Sequence, residues 1–195
     1  MALGKQAKIL TSQQQAAVLG YLASTRRPLR NKVIFLLSVK AGLRAKEIAH
    51  LKWDMLTASD GTMCHSISLR DDATKGKSGG VVWLNKILRA SLIELYEESC
   101  PSDEGLYVIQ TERSDHTSPQ SIVNLFALWY RQMGFKGCSS HSGRRTFITN
   151  AAKRISSVGG SMRDVQMLAR HTSLNMTMRY IEADVEAMKK VVDLV

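Results

Sequence analysis

Cysteine is scarce. Three residues, Cys64, Cys100 and Cys138, are odd in number and far apart in a chain of 195. They supply neither a disulfide framework nor a Cys-x-x-Cys metal pair, and they point to a reducing compartment. Proline is scarcer than glycine, 3 against 13, and neither gathers into a low-complexity tract; there is no internal repeat. No apolar run is long enough to span a membrane, and the opening Met1-Ala-Leu-Gly-Lys-Gln lacks a signal-peptide core. These shortages weigh against a secreted disulfide scaffold, a membrane-spanning protein and a zinc ribbon. Acidic residues are also in short supply, 17 against 27 Lys and Arg, for a net charge of +10. What is present is a 44% hydrophobic share, enough for a packed core. The cationic surplus suits a polyanionic partner, most often nucleic acid.

The charge is uneven. Residues 1–60 carry a net +7, residues 61–140 a net −1 and residues 141–195 a net +4. A folded domain can therefore build one basic face from its two ends.

Helical signals dominate the chain. Thr11-Ser-Gln-Gln-Gln15 offers a capping box ahead of Ala16, Val18, Leu19 and Leu22. Pro28 opens a second helix that stops near Gly42, and a shorter one runs from Arg44 to about Lys52. His65–Arg70 and Val81–Leu84 then read as strands of a β-hairpin with a long basic tip, Asp71–Gly80. Asn85 caps a helix, Leu106–Gln110 reads as a third strand, and Ser118-Pro119 starts a helix ending at Gly134. Further helices begin around His141 and at the capping box Ser161–Asp164, followed by a pair over about Ser173–Tyr180 and Asp184–Leu194. The expected fold class is α+β, mainly α-helical, with a small three-stranded antiparallel sheet.

Several chemistries lack support. Gly76-Lys77-Ser78 has the ending of a phosphate-binding loop, but Asp71 stands where its first glycine is required. The five histidines are scattered without metal-ligand spacing, and no Gly-x-Ser-x-Gly elbow occurs. No cofactor and no metal is expected. What remains is a set of polar residues at helix starts and turns: Arg44, His141, Arg144, His171 and, nine residues after it, Tyr180. Taken singly, each reads as an ordinary surface or capping residue.

Taken together, the set resembles the catalytic domain of the tyrosine recombinases, the family of phage integrases and Xer recombinases. Ala41-Gly-Leu-Arg-Ala-Lys-Glu47 matches the first family box, Thr/Ala-Gly-Leu-Arg-x-x-Glu. His141-Ser-Gly-Arg-Arg145, Leu168-Ala-Arg-His171 and Tyr180 follow the second in order and final spacing. The resemblance runs from about Leu10 to the end. It implies attack of the Tyr180 hydroxyl on a DNA phosphodiester, a phosphotyrosyl link and a free 5′-hydroxyl, with neither ATP nor metal. Arg44 and Arg144 clamp the phosphate and His171 donates a further hydrogen bond. Lys75 on the hairpin tip protonates the leaving oxygen, with Lys77 as the alternative, and His141 helps to move the tyrosine proton. Glu47 is read as a structural partner.

The expected function is a site-specific recombinase or integrase. The alternatives are type IB topoisomerase-like relaxation, or a non-catalytic DNA-binding module that kept the fold. The expected partner is double-stranded DNA carrying recombination sites, bound by a homo-tetramer that is a monomer without DNA. The expected location is the cytoplasm, on the nucleoid. The division is a 1–9 extension, a 10–182 catalytic domain and a 183–195 helical tail able to dock in trans. Some positions depart from the family pattern: Gly143 for Leu, Arg145 for His, Arg170 for Gly and Gly80 for Arg. Most members also carry a helical DNA-binding domain before the position of Leu10. Its place is taken here by nine residues, as in the fimbrial-switch recombinases or in an excised catalytic domain.

Overall fold

The helix starts follow from local chemistry. In the computed structural model, Thr11 caps α1 (Ser12–Ala23): its hydroxyl accepts from Gln14 N–H at 3.1 Å, while the Gln14 side chain accepts from Thr11 N–H at 3.0 Å. Pro28 opens α2 (Pro28–Ala41), where its missing N–H costs nothing. Gly42 closes α2 in the left-handed conformation, φ 66°. α3 (Ala45–Ala49) is shorter than its sequence suggests and is followed by a 3₁₀ turn, Trp53–Met55. The structure describes residues 6–73, 79–99, 106–111, 114–181 and 185–193.

β1 (Ser66–Leu69) pairs antiparallel with β2 (Gly80–Trp83), with Ile67 opposite Val82 and Leu69 opposite Gly80. The inward residues Ile67, Leu69 and Val82 are buried, while Val81 and Trp83 face outward, as a period of two requires. At the mouth of the hairpin Gly79 N–H donates to the Asp71 carboxylate at 2.9 Å. The tip, with Lys75 and Lys77, lies outside the described residues.

The sheet has two strands among the described residues, not three. Leu106–Gln110 has strand composition, but it meets the connection after α3 and not the hairpin. Tyr107 forms an isolated antiparallel bridge with Lys52, and Val108 N–H donates to Leu51 carbonyl at 2.9 Å. That connection gives way at once to the 3₁₀ turn at Trp53, which leaves no extended run for a ladder to follow.

α4 (Lys86–Ser99) starts at Asn85, whose side chain accepts from Ile87 N–H at 3.0 Å. α5 (Pro119–Gln132) starts at Ser118, with Pro119 in its first turn. Then come α6 (Ser142–Arg154), a second 3₁₀ turn (Ile155–Val158), α7 (Met162–Ala169), α8 (Leu174–Met178) and α9 (Val185–Val192).

The chain divides into two units, Met1–Phe147 and Ile148–Val195, with α6 contributing residues to each. In the first, α2 is the central element. Val33 through Val39 are all buried, so this helix has no solvent face across its middle. It packs on α1, α3 and α4, and α3 packs on α5. Burying each Leu, Ile or Phe of this set stabilises the fold by about 1.5–3 kcal/mol. In the second unit α7 packs on α8 and on the second 3₁₀ turn. Ser161 and Asp164 form the expected capping box of α7. No helix among the described residues is long and apolar enough to cross a membrane.

Candidate active site

The first unit holds both arginines of the expected phosphate clamp. Arg44 sits at the N-cap of α3. Its N–H donates to Glu47 Oε2 at 2.8 Å and its Nη1 to Glu47 Oε1 at 2.9 Å. Glu47 is fully buried and Arg44 is half-buried. The guanidinium is thus tied to a buried carboxylate through Nη1, and the same carboxylate accepts from the Arg44 backbone. Glu47 is thus the orienting partner its place in the box suggested.

Arg144 lies in the first turn of α6 and is buried. Its Nη1 donates to the Gly42 carbonyl at 2.6 Å. That carbonyl belongs to the residue that ends α2, two positions before Arg44. One tight turn therefore anchors both arginines. The turn has no room for a side chain: a Cβ on Gly42 would stand 2.6 Å from Phe147 Cδ1, and its φ of 66° disfavours one in any case.

His141 precedes α6 and is exposed. Its carbonyl accepts from Arg145 N–H at 2.9 Å, and its own N–H donates to Ser139 Oγ at 3.3 Å.

Two departures from the family pattern find a physical role here. Gly143 lies so close to α2 that a Cβ would fall 2.2 Å from Ser38 Oγ and 2.8 Å from Ser38 Cβ. A leucine could not occupy this position with α2 where it is. Arg145 is buried and its Nη1 donates to the Gln6 side chain. Beside it, Thr146 Oγ1 accepts from Leu10 N–H at 2.8 Å, and Lys8 N–H donates to Gly137 carbonyl at 3.0 Å. The residues ahead of α1 are thereby strapped to the start of α6.

The second unit holds the expected nucleophile. The Tyr180 ring stacks on His171, centroids 5.2 Å apart and planes inclined by 28°. Tyr180 carbonyl accepts from Thr149 Oγ1 at 2.9 Å, and its N–H donates to Thr177 carbonyl at 2.9 Å. His171 is buried. Its backbone is tied to Gln166 through N–H to carbonyl at 3.1 Å and through Gln166 Nε2 to its own carbonyl at 2.9 Å. Its Nδ1 lies 3.0 Å from Thr177 Oγ1. The preceding residue, Arg170, ends α7 with φ 52°, where the family usually has glycine. A non-glycine residue in this region costs roughly 1–2 kcal/mol.

Of the expected residues, Arg44 and Arg144 converge on one turn, and His171 and Tyr180 form one stacked pair. His141 lies one turn of helix from Arg144. Lys75 is outside the described residues. Sequence reasoning missed Thr149 and Thr177. A threonine within a helix carries no pattern that distinguishes a packing role from a hydrogen bond to a site residue.

A sequence profile described as the phage integrase family matches residues 8–187. Tyrosine recombinase XerA of Thermococcus kodakarensis is 31% identical over 185 residues, 94% of this chain and 61% of that protein. The chain thus spans 61% of the length of the curated relatives it matches. Among solved structures, a crystal structure of XerA recombinase is similar with a TM-score of 0.73 at 19% identity, covering 100% of this chain and 65% of that one. XerH site-specific recombinase bound to palindromic difH substrate gives 0.73 at 18% identity, covering 97% and 53%.

Proposed function

The chain belongs to the phage integrase family, and from that premise we propose that it is the catalytic part of a site-specific DNA recombinase. The observation that carries this reading is the stacked pair His171 and Tyr180, nine residues apart and 5.2 Å between ring centroids. A tyrosine and a histidine side by side supply the two residue types this reading calls on, a hydroxyl nucleophile and a hydrogen-bond donor to the phosphate.

The chemistry follows from the residue types. Tyr180 Oη forms a bond to phosphorus and the bond from phosphorus to the 5′-oxygen breaks, leaving a 3′-phosphotyrosyl link. His141 helps to take the tyrosine proton, and the hairpin lysine, Lys75 or Lys77, gives one to the leaving oxygen. Charge gathers on the non-bridging oxygens in the transition state. In this reading Arg44, Arg144 and His171 meet it as donors, Arg44 held by Glu47 and Arg144 by the Gly42 carbonyl. A 5′-hydroxyl from a second strand reverses the step, so the bond energy is conserved without ATP. The substrate is double-stranded DNA with recombination sites, and four copies of the chain act together on it, at the nucleoid. The domain spans residues 10–182, and the tail 183–195 docks on a neighbouring copy. Several relatives of this fold are described as DNA-bound, among them XerH with difH and a lambda integrase dimer with a core site.

A nicked suicide substrate tests this directly. Wild type leaves a detergent-stable protein–DNA adduct that maps to the peptide holding Tyr180, and Tyr180→Phe leaves none. An adduct on Tyr107 or Tyr130 refutes the assignment.

A further inference from the structure

We propose that Thr177 is a positioning residue that sets the tautomer of His171, so that Nε2 carries the ring proton. The inference rests on the reading of His171 as a phosphate donor for its meaning, but not for its evidence.

Thr177 is completely buried on α8, six residues after His171. Its hydroxyl lies 3.0 Å from His171 Nδ1, and among the described residues that nitrogen is its hydrogen-bond partner. A buried hydroxyl proton needs an acceptor, and stranding it is costly. The Thr177 proton has Nδ1 to go to. Nδ1 then serves as acceptor and must be unprotonated, which leaves the neutral ring's one proton on Nε2. The opposite tautomer would put an N–H against an O–H whose proton had lost its acceptor.

The backbone around the ring reinforces the arrangement. Gln166 holds the His171 peptide from both sides, at 3.1 and 2.9 Å. Tyr180 covers one ring face at 5.2 Å. The imidazole is therefore fixed in place, and only its proton remains to be assigned. Protonated at Nε2, it offers a donor on the edge away from Thr177. Protonated at Nδ1, it would present a lone pair to an anionic phosphate.

The test is a long-range proton–nitrogen spectrum of the whole chain with ¹⁵N-labelled histidine, recorded where the His171 ring is neutral. His171→Gln identifies its signals. Wild type shows Nδ1 bare and Nε2 protonated. Thr177→Val, which keeps the shape and removes the hydroxyl, shows a mixture of tautomers, and Thr177→Ser restores the wild-type pattern. A protonated Nδ1 in wild type overturns the proposal, and that outcome does not depend on either Thr177 variant. An unchanged tautomer in a folded Thr177→Val protein overturns it too. In parallel, suicide-substrate cleavage falls by about 10–10²-fold in Thr177→Val and recovers in Thr177→Ser, short of the ~10²–10³ expected for losing the donor outright. If the tautomer responds as stated while wild type cleaves no DNA, Thr177 keeps its role and the recombinase reading is what fails.

Discussion

Arg144 donates to the carbonyl of Gly42 across 102 positions of sequence, at 2.6 Å. The contact ties the arginine of α6 to the turn that carries Arg44. The two boxes of the family pattern thus meet at one backbone oxygen. The arrangement depends on Gly42 being glycine, since a side chain there would collide with Phe147.

Replacing Arg44 separates its chemistry from its packing. Alanine would strip the guanidinium from the fully buried Glu47, confounding folding with catalysis. Arg44→Lys keeps the charge and loses the planar fork. Cleavage is expected to fall by about 10²–10³, with DNA affinity little changed because other cations hold the backbone. Single-turnover cleavage and a binding titration at one salt concentration measure both; equal losses in the two would make Arg44 a plain phosphate contact.

Gly143 should be intolerant of any side chain. Gly143→Ala is expected to destabilise the protein by about 1–3 kcal/mol, because the new methyl meets Ser38 Oγ at 2.2 Å. Adding Ser38→Gly should recover part of the loss, a non-additive pair. Denaturant midpoints report both, and an unchanged midpoint for the single variant contradicts the close approach of α2 and α6.

The cap of α7 makes an acid-dependent contribution. Ser161 N–H and Oγ both donate to Asp164 Oδ2 at 2.7 Å, which holds that carboxyl below its ordinary 3.8. A depressed value means the stabilisation is complete above the unfolded value and is lost as pH falls through the folded one. The melting-temperature gap between wild type and Asp164→Asn should therefore be constant above about pH 5 and close below 3.8. A gap that persists at pH 2 rules the carboxylate out as its source.

The tail offers a test of assembly. On α9, Met188, Val191 and Val192 are exposed apolar side chains, a stripe that gains by burial on another surface. Deleting residues after Ala183 should spare cleavage of a half-site and abolish strand exchange between two sites. Full exchange by the truncated chain removes the coupling role.

The caps, the helix periods and the alternating hairpin were legible in the sequence because each is decided within a few residues of chain. Thr11, Asn85 and Ser118 accept from amides within one turn, Pro28 suits a first turn because it has no N–H to leave unpaired, and Ser161 pairs with Asp164 three residues on. The family boxes were legible too, since Ala41–Glu47, His141–Arg145, Leu168–His171 and Tyr180 carry the pattern in residue type and order along the chain. Tertiary structure alone decided the rest. Leu106–Gln110 has the composition of a strand, yet it forms a single isolated bridge at Tyr107 and then bends, because the backbone that came to lie beside it was the connection after α3. Gly143 and Arg145 looked like lapses from a pattern until Ser38 and Gln6 supplied their neighbours. Thr177 was one threonine among several until burial set its hydroxyl against His171 Nδ1, its acceptor among the described residues. Local sequence sets backbone preference through steric and hydrogen-bond terms that act over one turn. The pairing of a buried polar atom with its partner is set by packing between segments far apart in the chain, and no short-range pattern encodes it.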